Sequence, residues 1–212
     1  MRPEVMINVA MSADGKIALP DRTEVKISGE EDFERVHELR NEVDAILVGI
    51  GTVLSDDPKL TVKEEYVSGE RVEHPLKVVL DSKARTPEDA QLFEKGDWLI
   101  ATTEDVDKEG WIRCGRGDRV DIGFLLDELE KRGIETLLVE GGGEVISSFF
   151  ELGAVDKFTV FVGSLVIGGR EAPTPVDGEG AADLDGVIDL EFIGHEELDE
   201  GILLKYKVRS DE

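Results

Sequence analysis

The sequence predicts an α/β protein with a mostly parallel central sheet, flanking helices and antiparallel strands at its C-terminal end. Over the first two thirds of the chain, compact apolar runs suited to buried strands alternate with amphipathic, helix-like segments. From about residue 155 onward the segments are strand-like, with little helix between them. No linker, repeat or low-complexity stretch divides the chain, so we expect a single domain over residues 1–212.

The alternation begins with an apolar run at residues 5–11, a predicted strand, and a turn-rich loop at residues 12–22. Residues 28–43, SGEEDFERVHELRNEV, start with acidic residues and repeat apolar side chains at helical spacing. This pattern predicts a helix with a negatively charged first turn. Residues 44–49, DAILVG, predict a second buried strand followed by a glycine turn, and residues 75–82 and 97–103 predict two more strands.

The second half of the alternation starts with DIGFLLDELEKRGI at residues 121–134. It predicts a helix with Phe124, Leu125 and Leu129 on one face and Gly133 at its end. A strand is predicted in ETLLVEGGG, residues 135–143, and a helix in GEVISSFFELG, residues 143–153. Residues 155–169, 187–198 and 201–209 are the strand-like segments of the C-terminal part.

Composition excludes several classes of function. The 49 acidic and 24 basic residues give a net charge of −25, which argues against nucleic acid or an anionic membrane as the main partner. Cys114 is the only cysteine, so disulfide frameworks and cysteine-based zinc sites are excluded within one chain. Because no apolar run approaches the roughly 18 residues of a membrane span, and the N-terminus has no long apolar segment, we expect a cytoplasmic protein.

Two glycine turns follow predicted strands, in ILVGIGTV and LLVEGGGEV. Ligands of parallel sheets bind beyond the carboxyl ends of the strands, and helix N-termini favour phosphate. Neither turn has the standard dinucleotide fingerprint, because Leu54 and Ile146 occupy its third glycine position. Close packing of a helix on the sheet would explain one glycine turn, but two turns, one of them holding a carboxylate, favour a nucleotide or sugar phosphate.

Two charged residues directly follow buried strands. Glu140 ends a wholly apolar run, so we expect a partly desolvated carboxylate that suits proton transfer or a hydrogen bond to a substrate amino group. A carboxylate that caps a neighbouring loop is the equal alternative. Lys16 follows the first strand and could reach a substrate carbonyl or remain solvated, whereas Asp14 belongs to an ordinary Asp-Gly turn.

Polar loops follow two other strands, with Thr52, Asp56 and Asp57 in one and Asp81, Ser82, Lys83 and Arg85 in the other. Because Asp-Pro commonly starts a turn, one of the adjacent aspartates is expected to be structural. A serine and an arginine after a strand could hold a ribose 2′-phosphate, which favours a phosphorylated nicotinamide cofactor; a solvated loop is the alternative.

The histidines and the cysteine predict no metal site. His37, His74 and His195 lack the spacing of zinc ligands, and Cys114 has no histidine near it in the sequence. We therefore expect no bound metal and no cysteine nucleophile.

Five blocks in order resemble the pyrimidine reductases of riboflavin biosynthesis, of the stand-alone archaeal and fungal type: INVAMSADGKIA, DAILVGIGTVLSDDPKLT, KVVLDSKAR, LLVEGGGEVISSFFELGAVDKF and IGGREAPTPVDGEG. The resemblance spans roughly residues 3–208 and implies a dihydrofolate-reductase-like fold. It implies NADPH-dependent reduction of 2,5-diamino-6-ribosylamino-4(3H)-pyrimidinone 5′-phosphate to its ribityl form. It also implies a homodimer, for which we expect the β-rich part from about residue 155 to be the interface. Bacterial relatives add a zinc deaminase with paired cysteines, so we expect reduction without deamination.

The resemblance also implies site residues, carried over position by position. The cofactor positions are Thr52, Asp56, Ser82, Lys83, Ala84, Arg85, Gly141, Gly142, Gly143 and Glu144. The substrate positions are Arg40, Leu60, Lys63 and Glu140, of which the basic ones could grip the 5′-phosphate. Lys16 and Glu140 are the catalytic candidates, and either could guide a proton while the cofactor supplies a hydride to C1′ of the sugar. Lys26 falls where the resemblance allows a cofactor contact, and Gly163-Ser164 replace an alanine-proline pair that relatives often have.

Two alternative functions stay open at this point. Dihydrofolate reductase has the same fold and cofactor but needs a pterin-binding carboxylate on its first helix, whereas the DDPKLT and VEGGGEV blocks favour the riboflavin branch. The other alternative is a non-catalytic nucleotide-binding protein on this fold. Methotrexate binding distinguishes the first alternative, and NADPH oxidation with the pyrimidine substrate distinguishes the second.

Overall fold

The structure is a computed structural model that describes residues 1–67 and 71–209. The strands within these residues are β1 Glu4–Ser12, β2 Ala45–Gly49, β3 Leu76–Leu80, β4 Trp98–Thr102, β5 Trp111–Arg113, β6 Thr136–Val139, β7 Lys157–Gly163, β8 Leu190–Leu198 and β9 Gly201–Val208. The α-helices are α1 Glu30–Glu42, α2 Ile50–Asp56, α3 Ile122–Lys131 and α4 Gly143–Glu151. Short 3-10 helices occur at Glu64–Tyr66, Gln91–Phe93 and Leu184–Gly186.

The chain forms two compact units, of which the first comprises residues 1–4 and 36–141. Its strands are all parallel, in the order β5-β4-β3-β2-β6. All five residues of β2 are buried, which is why this strand is a continuous apolar run in the sequence. Because the strands run in one direction, the residues that follow Gly49, Leu80, Thr102 and Val139 lie along one edge of this sheet. We call this edge the carboxyl edge.

The first unit has a core over one side of its sheet. Val48, Val79 and Ile100 lie in register on neighbouring strands, and the side chain of Leu60 packs into the same cluster. Ile50 and Val53 of α2 belong to it as well. The loop that contains Leu60 is therefore held to the sheet by apolar contact.

Helix α3 is capped by Asp121, whose carboxylate accepts a hydrogen bond from the N–H of Phe124 at 2.9 Å. The buried stripe consists of Ile122, Leu125, Leu126 and Leu129. Phe124 lies outside this stripe and is 42% exposed, so the prediction that it shares a face with Leu125 and Leu129 is wrong. The stripe follows the spacing i, i+3, i+4, i+7 from Ile122, which turns the Phe124 ring outward toward Lys131.

The second unit comprises residues 5–35 and 142–212, of which 5–35 and 142–209 are described. Here β1 pairs in parallel with β7, and β9 lies antiparallel to both β7 and β8. Asp199, between β8 and β9, caps the start of α1: its carboxylate accepts hydrogen bonds from the N–H groups of Gly29, Glu31 and Asp32, each at 3.1 Å. This cap satisfies backbone N–H groups at the start of the helix. The acidic residues of the segment lie in this first turn, as predicted.

The predicted α/β class is confirmed, because the described strands are mostly parallel, with antiparallel C-terminal strands and flanking helices. Two elements differ from expectation. The predicted glycine turn after β2 continues as the seven-residue helix α2, which ends at Asp57 in a left-handed conformation. Strand β5 was not predicted, since three residues are too short to show a period. No helix in residues 1–67 and 71–209 is long and apolar enough to cross a membrane.

Candidate active site

Glu140 and Arg40 form a two-pronged ion pair in the first unit. Arg40 Nε donates to Glu140 Oε1 at 3.0 Å, and Arg40 Nη2 donates to Oε2 at 2.6 Å. The Arg40 side chain is 17% exposed and the Glu140 side chain is 12% exposed. Burial alone would lower the pKa of Arg40, but the charge and hydrogen bonds of Glu140 raise it, so the guanidinium stays charged.

The local fold determines where this pair lies. Glu140 directly follows β6, and its N–H donates to the carbonyl oxygen of Leu47 in β2 at 2.9 Å, which places the residue at the carboxyl edge. Arg40 lies in the last turn of α1. The pairing escaped sequence reasoning because the residues are 100 positions apart. A signal was present nonetheless: Arg40 falls on the helical stripe of Val36 and His37, and an inward-facing cation needs a partner.

Residues 60–66, which we call segment 60–66, contain two of the predicted substrate positions. Leu60 is 3% exposed with a φ of 51°, so its side chain belongs to the core and only its backbone is available to a substrate. Lys63 is exposed. The N–H of Val62 donates to His74 Nδ1, and the N–H of Lys63 donates to His37 Nδ1, both at 3.3 Å. Two histidines that lack the spacing of zinc ligands therefore bind this segment instead.

His37 lies at the centre of a charged group that also contains Arg40, Lys63, Tyr66 and Glu140. His37 is 1% exposed, and its ring stacks on that of Tyr66 with centroids 5.3 Å apart. Burial lowers the pKa of His37 to about 4, and the charges of Arg40 and Lys63 act in the same direction against that of Glu140. The Lys63 ammonium lies 5.4 Å from the centre of the Tyr66 ring. We call these five residues the His37 cluster; it brings together three of the predicted substrate positions.

The loop after β3 is organised by Asp81, which is fully buried. Its Oδ2 accepts hydrogen bonds from the N–H and the hydroxyl of Thr86 at 2.7 and 2.8 Å, and its Oδ1 lies 3.7 Å from Arg85 Nε. Ala84 adopts a φ of 51° within this turn. The loop thus carries Lys83 and Arg85 outward at the carboxyl edge; the Arg85 side chain is 52% exposed.

Ser82, in the same loop, is tied into the fold by its own hydrogen bonds. Its carbonyl oxygen accepts from the Thr103 hydroxyl at 2.8 Å, and its Oγ accepts from the N–H of Val120 at 3.2 Å. The Ser82 hydroxyl retains its own proton for donation to a ligand. Its position is therefore well fixed for a contact with a phosphate or a ribose.

The loop after β2 separates the two adjacent aspartates. Asp57 accepts hydrogen bonds from the backbone and side-chain amides of Gln91, at 2.8 and 3.1 Å, so it is the structural member of the pair. Asp56 is exposed at the end of α2, and Thr52 is half-buried in its first turn. The sequence-based expectation that one aspartate is structural is confirmed.

In the second unit, Lys16 and Asp14 both bind the segment 165–173. Lys16 Nζ donates to the carbonyl oxygen of Ala172 at 2.9 Å. Asp14 accepts from the N–H groups of Ile167 and Gly168 at 3.0 and 2.7 Å. The hydrogen bond from the Ser12 hydroxyl, followed by that of Ile167, lowers the pKa of Asp14 to about 2. Asp14 is thus more than a turn residue, because it orients the segment that receives Lys16.

The glycines at the start of α4 have different surroundings. A Cβ on Gly143 would lie 2.4 Å from the carbonyl oxygen of Thr174, so glycine is required there for packing. At Gly142, the N-cap, a Cβ would meet nothing within 4 Å, and the helix begins without a side-chain cap. Glu144, next in the first turn, is exposed. A helix N-terminus of this kind can receive an anionic group such as a phosphate.

The Gly163-Ser164 departure has a local explanation. A Cβ on Gly163 would lie 2.5 Å from the carbonyl oxygen of Ile27, so any side chain at this position would collide with the backbone that follows Lys26. The Ser164 hydroxyl donates to the carbonyl oxygen of Glu200. Both residues therefore serve packing within the second unit.

The predicted site residues thus fall into groups. Arg40, Lys63 and Glu140 lie in the His37 cluster, while Thr52, Asp56 and the residues from Ser82 to Arg85 lie in loops that follow strands of the same sheet. Gly141 belongs to the first unit, and Lys16 and Gly142 to Glu144 belong to the second. Among residues 1–67 and 71–209, no group of three or more His, Cys, Asp or Glu side chains is arranged to hold a metal ion.

Comparison with known proteins gives a consistent picture. The sequence model of the family described as RibD C-terminal domain matches residues 3–204. The chain is 40% identical to a 2,5-diamino-6-ribosylamino-4(3H)-pyrimidinone 5′-phosphate reductase of Methanothermobacter thermautotrophicus, across 99% of this chain and 100% of that protein. It is 42% identical to a protein of the same name from Archaeoglobus fulgidus, across 84% of this chain and 88% of the relative.

Two solved structures share the fold. One is RibD from Acinetobacter baumannii, with a TM-score of 0.84 and 24% identity over 98% of this chain; the match spans 58% of the RibD chain. The other is the Saccharomyces riboflavin biosynthesis reductase Rib7, with a TM-score of 0.77 and 22% identity over 98% of this chain and 90% of Rib7. At these identities the likeness concerns the fold.

Proposed function

The chain belongs to the family of the RibD C-terminal domain, and on that basis we propose that it is a reductase of riboflavin biosynthesis. The proposed substrate is 2,5-diamino-6-ribosylamino-4(3H)-pyrimidinone 5′-phosphate, whose ribosyl side chain becomes ribityl. In the geometry, the His37 cluster is the observation that carries the proposal. It places a carboxylate and an exposed ammonium in one group, as a substrate with amino groups and a phosphate requires.

Within this proposal, the residues of the His37 cluster divide the work of binding. The Glu140 carboxylate accepts hydrogen bonds from the amino groups of the pyrimidine, and Arg40 keeps that carboxylate in place. Lys63 contributes its ammonium to the 5′-phosphate, while Leu60 offers its backbone. Arg40, already engaged by Glu140, adds positive charge to the same group without leaving its partner.

The reaction needs a hydride at C1′ and a proton at the sugar ring oxygen as the bond between these two atoms breaks. The nicotinamide cofactor supplies the hydride chemistry when it is bound. We assign the proton to Lys16, whose ammonium is oriented by the carbonyl oxygen of Ala172. Glu140, with both oxygens engaged by Arg40, is better suited to holding the substrate than to delivering a proton.

We further propose NADPH as the cofactor. In the first unit, Lys83 and Arg85 are exposed cations beside Ser82, which suits the 2′-phosphate that distinguishes NADPH from NADH. Thr52 and Asp56 follow the neighbouring strand β2. In the second unit, Gly142 and the first turn of α4 suit the pyrophosphate, with Gly141 before them and Gly143 and Glu144 after.

The oligomeric state that we propose is a homodimer formed through the β-rich part from about residue 155. Strand β8 ends the strand order and leaves one side without a strand neighbour among the described residues. Phe192 and Ile193 on it are 55% and 59% exposed. Gel filtration at two concentrations should give the mass of a dimer, and Ile193→Asp should shift it toward a monomer. A monomer at both concentrations would contradict the proposal.

Two broader expectations stay predictions. A single reductase domain over the whole chain is supported by the family match, which spans residues of both units. A cytoplasmic location is supported by the single cysteine and the strongly acidic composition.

The proposed function is tested by following NADPH oxidation at the nicotinamide absorbance, with the ribosylaminopyrimidine phosphate as substrate. Lys16→Met and Glu140→Gln should each lower turnover by roughly 100-fold or more. Lys131→Met and Glu128→Gln, which alter a surface ion pair on α3, are the matched controls. Absence of substrate-dependent oxidation would contradict the function, and near-normal turnover in both site variants would remove these residues from the mechanism. Dihydrofolate and methotrexate test the rival enzyme in the same assay.

A further inference from the structure

We propose that His37 and His74 are positioning residues for the reductase reaction: their imidazole rings hold segment 60–66 so that Lys63 is presented to the substrate. Because this inference takes Lys63 to contact the substrate, it rests on the proposed function. Neither histidine touches the reacting atoms in this scheme. They act on the reaction through the backbone of the segment that they bind.

The hydrogen bonds fall on two consecutive residues. His74 Nδ1 accepts from the N–H of Val62, and His37 Nδ1 accepts from the N–H of Lys63. The two rings come from separate elements, the loop before β3 and helix α1. Lys63 has an extended backbone, with φ −95° and ψ 125°, so neither N–H is satisfied by a helical turn. The histidines therefore supply acceptors to Val62 and Lys63, just before the 3-10 helix Glu64–Tyr66 begins.

The ends of the segment are anchored as well. Leu60 is packed into the core of the first unit, and Tyr66 stacks on the ring of His37. Between these anchors, Lys63 is exposed. A lysine side chain is long and flexible, so the position of its backbone limits the space that its ammonium can reach. Fixing the N–H of Lys63 thus limits where the positive charge can go.

Helix α1 connects this segment to the rest of the His37 cluster. His37 and Arg40 are three residues apart, so they lie on the same face of the helix. His37 binds the segment that carries Lys63, while Arg40 binds Glu140. One face of α1 therefore sets the relative positions of the ammonium and the carboxylate that we assign to the substrate.

Both rings must be neutral at Nδ1 to accept a hydrogen bond, and their surroundings keep them so. Burial lowers the pKa of His37 to about 4; Arg40 and Lys63 add to this effect and Glu140 opposes it. Burial also lowers the pKa of His74, where Lys95 and Lys77 add to the effect and Glu64 opposes it. At neutral pH each proton is then on Nε2, and the acceptor at Nδ1 is available.

The test compares two replacements at each histidine. Phenylalanine keeps an aromatic ring but has no acceptor, whereas asparagine keeps an acceptor close to the position of Nδ1. His37→Phe and His74→Phe should each raise the KM for the pyrimidine phosphate about tenfold, since one lost hydrogen bond costs about 1.4 kcal/mol. The kcat and the KM for NADPH should change less than roughly twofold. The asparagine variants should recover most of the affinity, and His195→Asn is the control on a histidine of β8.

A pH profile separates positioning from general support of the fold. In the wild type, the KM for the pyrimidine phosphate should rise as the pH falls toward about 4, because protonated His37 can no longer accept. His37→Asn does not titrate, so this rise should be smaller in the variant. An identical acid limb in both proteins would overturn the role of His37.

Lys63→Ala distinguishes failure of this inference from failure of the proposed function. If Lys63→Ala leaves the KM for the pyrimidine phosphate unchanged, the proposed contact with Lys63 fails. If Lys63→Ala raises that KM but neither phenylalanine variant does, the positioning inference is overturned. Should the phenylalanine variants not fold, ring-nitrogen NMR on the wild type decides: protons on Nε2 of both histidines support the inference, and protons on Nδ1 overturn it.

Discussion

Replacing Arg40 by methionine should destabilise the protein by about 3 kcal/mol, because it leaves the Glu140 carboxylate without its partner. Removing one member of a buried pair costs about 3 to 5 kcal/mol. Arg40 and Glu140 are not fully buried, with side chains 17% and 12% exposed, so the lower end of that range applies. In a chain of this length the loss corresponds to a fall in melting temperature of roughly 6 to 12 °C.

A double-mutant cycle isolates the pair itself. Arg40→Met, Glu140→Leu and the double variant are unfolded in urea, and the free energies of unfolding are compared. The double variant should be more stable than the sum of the single effects predicts, by at least about 2 kcal/mol, since it removes both charges together. Arg40→Lys should lose part of this coupling, because an ammonium cannot reproduce the two parallel hydrogen bonds of the guanidinium.

Salt provides a further check on the pair. High salt should change the coupling little, since the pair is mostly shielded from solvent. If the single effects add to within about 0.5 kcal/mol, the two residues are energetically independent and the reasoning is refuted.

Three further predictions concern single side chains. Arg85→Ala should raise the KM for NADPH about tenfold and the KM for NADH far less, because only NADPH has a 2′-phosphate that would lose a charged contact. Equal changes in the two KM values would contradict the assignment. Arg116→Ala, at another exposed arginine, is the control. His37 should make the free energy of unfolding fall between pH 6.5 and about 4, because its pKa is lowered in the folded state and the unfolded chain therefore takes up the proton first. The difference in unfolding free energy between the wild type and His37→Asn should shrink by up to about 3 kcal/mol over this range. A difference that does not change with pH would contradict the lowered pKa. Cys114 is buried, and burial raises the pKa of its thiol to about 11. A thiol reagent at pH 8 should therefore modify Cys114 in urea at the rate at which the chain unfolds, and far more slowly in native buffer. Rapid reaction in native buffer would show that the thiol is accessible.

Much of the fold could be predicted because it is written in local patterns. The apolar runs of β2 and β6 are buried where expected, and the acidic start of α1 lies where a capped first turn requires it. Helix α2 and strand β5 escaped prediction for a physical reason: seven and three residues are too few to establish a period. Phe124 was assigned to the wrong face because the apolar stripe of α3 starts one position after its cap.

The candidate site was predictable only in part. The position of Glu140 follows from the strand before it, but its pairing with Arg40 depends on how α1 packs, which no local pattern shows. His37 and His74 were set aside because they lack metal spacing; their contacts to Val62 and Lys63 are visible only in three dimensions. Hydrogen bonds between residues that are distant in the sequence leave no local pattern, so the roles that depend on them could not be predicted.

The run Gly141-Gly142-Gly143 also bears on how this protein could change over generations. At position 143 the carbonyl oxygen of Thr174 leaves no room for a side chain, so selection for folding alone should retain glycine. At position 142 the fold leaves open space, and a small side chain should be compatible with a folded protein. A mutational library sorted once for folding and once for growth without riboflavin should therefore disagree at position 142 and agree at position 143. Adjacent glycines can be conserved for different reasons. Only selection for growth without riboflavin would show which glycine is needed for function rather than for folding.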